Sequence, residues 1–210
     1  VPPERFTNSR RKEGGCEDDP VTRIVAGRAG GRRLKVPPQG TRPTSERVRE
    51  SLFNALESAG ELAGARLLDL YAGSGALGLE ALSRGAEDVL FVESDRRAVQ
   101  VLRGNVAELA LGGSVRAGQV ESVLAQAAEK PFDLVLADPP YAVDAARLGV
   151  MLAALGAGGW IVEHGLVIVE RAQRDGEPDW PAGFAPLRAM RHGDTALYWA
   201  EYVTSPRKPE

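Results

Sequence analysis

Asp69-Leu70-Tyr71-Ala72-Gly73-Ser74-Gly75-Ala76-Leu77-Gly78 reads as a buried strand that ends in a glycine-rich turn and opens directly into a helix. Gly73 and Gly75 can take backbone angles closed to other residues, and without a Cβ they let a ligand come close to the main chain. A helix starting near Ala76 aims unpaired N–H groups at that ligand. The spacing Gly73-x-Gly75-x-x-Gly78 also fits the dinucleotide fingerprint, with Glu93 lying 18 residues beyond Gly75 near the position of a ribose-binding acid. The turn alone leaves the ligand undecided.

Working outward, residues 66–169 alternate strand and helix. Apolar runs at 66–71, 88–92, 114–117, 132–137 and 166–169 predict strands, and helices are expected at 76–84, 95–109, 121–129 and 144–155. Continuous apolar strands fit a parallel sheet covered by helices on both faces. The expected fold is therefore a doubly wound α/β sheet with its ligands at the carboxyl ends of the strands. Residues 186–191 and 195–202 flank His192-Gly193-Asp194 and predict a closing antiparallel hairpin, which departs from the dehydrogenase arrangement.

That topology gathers Asp69, Gly73 and Gly75, Glu93, and Asp138 at one edge. Glu93 is suited to accept hydrogen bonds from the ribose hydroxyls of an adenosyl group, or else it is a solvated strand-end charge. Asp69 is placed to hold a cofactor amino group or to cap the glycine turn. Gln119 and Val120, after the third strand, offer a side-chain amide and a backbone N–H to an adenine edge. Tyr71 and Ser94 complete the candidate cofactor-binding set.

Asp138-Pro139-Pro140-Tyr141 carries the sharper chemistry. Two prolines stiffen the turn and push Asp138 and Pro139 toward extended geometry. The Asp138 carboxylate and the Pro139 carbonyl then face the two hydrogens of one planar amine, and Tyr141 offers a ring for stacking. An exocyclic purine amine is a poor nucleophile because its lone pair is delocalised. Accepting both N–H hydrogens favours a pyramidal nitrogen whose lone pair points at an electrophile, and alignment supplies the remaining catalysis.

Net charge is −3, unevenly spread: residues 21–50 carry eight bases and two acids, whereas residues 51–210 carry 14 bases and 22 acids. A basic arm on an acidic body suggests a polyanionic partner. Residues 21–40 read as a β-hairpin arm whose pieces 24–26 and 34–36 flank an arginine-bearing glycine turn. Arg28, Arg32, Arg33, Arg42, Arg47 and Arg49 are the candidate nucleic-acid contacts, since guanidinium forks match phosphate oxygens. A helix N-capped by Thr44 or Ser45 follows, and residues 41–206 form the main domain. Residues 1–20, mixed in charge and without hydrophobic periodicity, are expected to be a disordered or loosely docked tail, with Val21 a plausible domain start. No apolar run is long enough to span a membrane, no secretory signal is recognisable, and the lone Cys16 fits a reducing cytoplasm.

Arg23-Ile24-Val25-Ala26-Gly27, Gly31-Arg32-Arg33-Leu34, the run 42–54 (RPTSERVRESLFN), residues 69–84 and residues 138–141 together resemble the bacterial small-subunit ribosomal RNA guanine-N2 methyltransferase family (RsmD type). This family lies within the class I S-adenosylmethionine methyltransferases. The resemblance covers residues 23–202. It implies a seven-stranded, mostly parallel sheet with an inserted-order last strand, S-adenosylmethionine at the glycine turn and Glu93, and S-adenosylhomocysteine as product. It further implies methylation of a guanine N2 in 16S rRNA, within the assembled small subunit. No metal or membrane partner is expected, and a cytoplasmic monomer is. A DNA adenine-N6 methyltransferase would share DPPY but needs a sizeable recognition domain. A non-catalytic RNA-binding module would leave the Asp138 turn idle, and a nicotinamide dehydrogenase would leave both it and the arm unexplained.

Overall fold

The computed structural model describes residues 21–37, 45–140 and 142–204. The expected tail 1–20, most of the linker after Pro37, Arg42, Thr44 and Tyr141 lie outside the described residues.

Strands β1 (Val21–Arg23) and β2 (Arg33–Lys35) form an antiparallel pair. Helix α1 (Glu46–Ala59) follows, and then the alternation β3 (Arg66–Leu70), α2 (Ala76–Ser83), β4 (Asp88–Glu93), α3 (Arg96–Leu109), β5 (Ser114–Ala117), α4 (Val120–Leu124), β6 (Phe132–Ala137), α5 (Ala145–Ala157). The chain closes with β7 (Ile161–Ala172), β8 (Phe184–His192) and β9 (Thr195–Tyr202). Seven strands make one sheet in the order β5-β4-β3-β6-β7-β9-β8. The first five run parallel, while β9 is inserted between β7 and β8 and pairs antiparallel with both. Strand order reverses between β3 and β6, and the crevice beyond their carboxyl ends is where this architecture takes ligands.

Successive residues of the central strands feed opposite cores. Leu67, Phe91, Leu134, Leu136 and Ile168 pack with α1, α2 and α3. Leu68, Leu70, Val92, Val135 and Val167 pack with α4 and α5. Burial on both faces is why these strands read as continuous apolar runs.

Within the alternating core, α4 and β7 depart most from expectation. Helix α4 stops at Leu124 rather than 129. Strand β7 starts at Ile161 rather than 166, because a register shift against β6, in which Phe132 pairs with Ile161 and Leu134 with Leu166, accommodates three extra residues. His164 takes φ 66° there, and a Cβ on Gly165 would lie 2.6 Å from Ile161 Cγ1. A bulge of this kind interrupts the hydrophobic pattern without ending the strand.

The arm is docked onto the body. Ile24 and Leu34 are buried in the same core as α1 and α2. The Glu80 carboxylate, fully buried on α2, accepts the N–H groups of Val25 (2.7 Å) and Ala26 (3.0 Å) and pairs with Arg84 Nε (2.7 Å). Gly27 takes φ 82° and passes so close to α2 that a Cβ would lie 2.1 Å from the Ser83 carbonyl oxygen. The strand pairing falls at 21–23 with 33–35, not at 24–26 with 34–36, because Gly27–Ala29 folds into a 3-10 turn seated on Ser83.

Candidate active site

The glycine turn is bent by three alternate residues in the left-handed region: Tyr71 (φ 61°), Gly73 (φ 55°) and Gly75 (φ 82°). At the glycines the lack of a Cβ serves different ends. A Cβ on Gly73 would meet nothing nearer than the Tyr71 carbonyl oxygen at 4.0 Å, so this position borders open space. A Cβ on Gly75 would lie 2.4 Å from Leu102 Cδ1, and one on Gly78 2.3 Å from Phe91. Gly75 and Gly78 therefore let α2 pack against β4 and α3, and Gly73 alone leaves room for a ligand.

Asp69, 1% exposed, accepts the Gly78 N–H at 2.9 Å inside the first turn of α2. This is the capping role. Burial raises its pKa to about 7; the Gly78 hydrogen bond opposes that shift, while the charges of Asp138 and Glu93 add to it. Glu93, half-buried at the end of β4, accepts Gly73 N–H at 2.8 Å through Oε2, and Ser94 and Asp95 N–H at 2.7 and 2.8 Å through Oε1. Three backbone donors fix the carboxylate and leave lone-pair capacity on Oε2. The Tyr71 hydroxyl is buried with no hydrogen-bond partner among the described residues, and desolvation pushes its pKa up to about 12. Gln119 is exposed at the N-cap of α4, whereas the Val120 side chain is buried in the core below it.

Asp138 stands beside this turn. β3 and β6 pair through Leu70 and Ala137, and the Asp138 N–H still points at the Leu70 carbonyl (3.5 Å). Beyond it opens a cavity of about 660 Å³, within the range of small-molecule sites. Asp138, Pro139 and Pro140 form one side, Val48 of α1 and the helix's N-cap Ser45 a second. A third wall is the end of β7 with Glu170 and Arg171, the following 3-10 turn with Arg174, and the β8–β9 turn at residues 192–195. Sequence reasoning missed this wall: nothing local marks these residues, and a backbone bond from Gln173 N–H to the Asp194 carbonyl (2.7 Å) joins segments 21 residues apart.

The arginines divide. Arg49 is a correction: it is fully buried, donating to Thr22 Oγ1 at 3.2 Å and to the Arg23 carbonyl, so it stitches α1 to the arm and faces no partner. Its burial lowers its pKa, partly offset by Glu80 and Glu46. Arg28 and Arg32 are exposed yet donate to helix-end carbonyls, Arg28 to Leu82 (3.0 Å) and Arg32 to Glu108 (2.7 Å). Arg33 and Arg47 are exposed and hydrogen-bond to no described residue.

Beneath the arm, Asn105 of α3, 1% exposed, exchanges hydrogen bonds with Lys35 on β2 (3.0 and 2.9 Å) and donates to the Ser74 carbonyl in the glycine turn at 2.9 Å. One amide thus holds arm and turn in register.

A seven-stranded sheet with an inserted last strand, bearing a glycine turn and an Asp-Pro-Pro turn on neighbouring strand ends, defines a class I methyltransferase. Residues 22–201 match the family described as Conserved hypothetical protein 95, and the chain belongs to that family, the RsmD-type methyltransferases. It is 40% identical over 186 residues to Ribosomal RNA small subunit methyltransferase D of Escherichia coli K12, covering 85% of this chain and 90% of that protein. It is 34% identical to Putative rRNA methyltransferase YlbH of Bacillus subtilis, covering 83% and 96%. Among solved structures, a putative methyltransferase from Escherichia coli superimposes with a TM-score of 0.79 at 36% identity, covering 89% of this chain and all of that one.

Proposed function

We propose that this protein transfers a methyl group from S-adenosylmethionine to the exocyclic N2 amine of a guanine in 16S rRNA, within the small ribosomal subunit. One observation carries the reading. The pairing of Leu70 with Ala137 brings the glycine turn and the Asp138-Pro139-Pro140 turn out side by side at the point where strand order reverses. The relatives named for small-subunit rRNA methylation supply the substrate class.

The residues fit the donor. Gly73 leaves room at the main chain, and Glu93, held by three backbone N–H groups, presents an oxygen to the ribose hydroxyls. Ser94, Gln119 and the Val120 N–H would hold the adenine side, while Asp69 supports the turn from beneath. When bound, S-adenosylmethionine supplies a sulfonium-activated methyl group.

The chain's own task is to make a delocalised amine nucleophilic and to aim it. Asp138 and the Pro139 carbonyl accept the two N2 hydrogens, which localises the nitrogen lone pair on the side facing the glycine turn. Tyr141 stacks on the base. Holding the two reacting atoms in line replaces a bimolecular encounter, which is where most of the acceleration comes from. The target nucleotide leaves its stack to enter the cavity. Arg33 and Arg47, with Arg42 and the remaining donors of Arg28 and Arg32, bind the phosphate backbone.

The test is transfer of tritiated methyl from S-adenosylmethionine to separated small subunits, free rRNA and duplex DNA. Label in 16S rRNA guanine supports the reading; label confined to DNA adenine, or none, removes it.

A further inference from the structure

The amine-holding turn is not the only carboxylate at the cavity. β6 and β7 pair in parallel as far as Ala137 with Val169, so Asp138 and Glu170 are the next residues on adjacent strands, and both line the cavity. Neighbouring strands lie about 4.8 Å apart, which brings the two carboxylates within reach of one planar ring. Glu170 is also held within the ladder to β9, opposite Leu197, so its backbone is rigid where Asp138 begins a turn.

Two adjacent acceptors demand adjacent hydrogens, and the bases differ in that respect. On its pairing edge guanine carries N1–H directly beside the N2 amine. Adenine and cytosine place their amine beside a ring nitrogen that bears a lone pair. A carboxylate facing that nitrogen attracts the first arrangement and repels the second.

We propose that Glu170 selects guanine by accepting its N1–H while Asp138 and the Pro139 carbonyl hold the N2 amine. This rests on the N2-methylation reading above and adds the residue that distinguishes the base. Discrimination then comes both from a hydrogen bond made to guanine and from a lone-pair clash with the others.

The experiment uses small subunits reconstituted with 16S rRNA that carries either guanosine or 2-aminopurine riboside at the target nucleotide, located beforehand by mass mapping. 2-Aminopurine keeps the N2 amine but has a lone pair in place of N1–H. The wild-type protein is expected to favour guanosine by about 10- to 100-fold in kcat/KM, the range that a good base-edge pairing provides. Glu170→Gln, whose amide both donates and accepts, is expected to bring that ratio to within about threefold. Its affinity for S-adenosylhomocysteine should be unchanged. Should Glu170→Gln fail to fold, Glu170→Asp, which shortens the reach, is expected to lower the ratio in the same direction. A wild-type ratio near one, or a ratio unchanged in a folded variant, overturns the assignment. Absence of transfer to guanosine by the wild-type protein overturns the underlying reading, and the selection with it.

Discussion

Glu93 Oε2 accepts the N–H of Gly73 at 2.8 Å, so the acid at the end of β4 is fastened to the glycine turn that follows β3. The same carboxylate takes the N–H groups of Ser94 and Asp95, which makes it the keystone of the strand-end rim as well as the candidate ribose acceptor. Replacing Glu93 by Ala is expected to weaken binding of S-adenosylhomocysteine by about 1.5–3 kcal/mol, the range for hydrogen bonds to a charged group. Isothermal calorimetry reads this directly. An unchanged dissociation constant would take Glu93 out of the cofactor site.

Asp69 leaves a signature in stability against pH. Its pKa is raised to about 7 in the folded chain from an ordinary 3.8. Below the ordinary value the group is protonated in both states and costs nothing. As pH rises from about 4 to about 7, the unfolded chain releases the proton while the folded chain retains it, and folding loses stability across that window. Asp69→Asn keeps an acceptor for the Gly78 N–H and removes the titration. The variant should therefore gain stability relative to the parent as pH rises from about 4 to about 7 in urea melts. A constant difference would place the Asp69 pKa near its ordinary value.

The split among the arginines predicts two different phenotypes. Arg33→Ala and Arg47→Ala, at exposed positions, should weaken binding to the small subunit and flatten its salt dependence. The slope should fall by about 0.9 log units for each phosphate that is no longer neutralised in a duplex-like site. Arg49→Ala should leave the salt slope alone and cost about 1–3 kcal/mol of stability, because it strips the buried Thr22 hydroxyl and Arg23 carbonyl of their donor. A salt slope reduced in Arg49→Ala with stability intact would reverse the assignment.

Asn105→Ala removes one side chain that serves three backbone groups, at Lys35 and Ser74. Leaving buried groups unpaired costs about 1–3 kcal/mol in urea unfolding, and because Ser74 lies within the glycine turn, affinity for S-adenosylhomocysteine should fall as well. Loss of stability with unchanged affinity would restrict Asn105 to holding the arm.

The parallel core was legible because its strands are apolar runs set off by real punctuation. Residues 114–117, 132–137 and 195–202 fold as the strands their patterns predict. Asp95 and Asp144, read as the first residues of helices, cap α3 and α5 by accepting N–H groups of the first turn. What escaped depends on neighbours distant in sequence. Arg49 looks like a polar helix residue until Thr22 and Arg23 close over it. Glu80 looks like a surface acid until the arm delivers two N–H groups to it. The cavity wall at residues 171–175 and 192–195 exists only because β7 and the β8–β9 turn meet in space. The glycine spacing was read correctly as a turn, and Gly75 takes the left-handed φ of 82° that such a turn uses, but its close packing against Leu102 shows in no local pattern.

In the proposed reaction the Asp138 turn presents a guanine amine to a methyl group held at Gly73 and Glu93. This is tested most directly by mass mapping of 16S rRNA from small subunits of cells lacking this protein, after incubation with S-adenosylmethionine and either the wild-type protein or Asp138→Ala. N2-methylguanine is expected at one position with the wild-type protein and none with Asp138→Ala, although the variant should still bind S-adenosylhomocysteine. Methylation retained by the variant, or found on another atom or base, would contradict it.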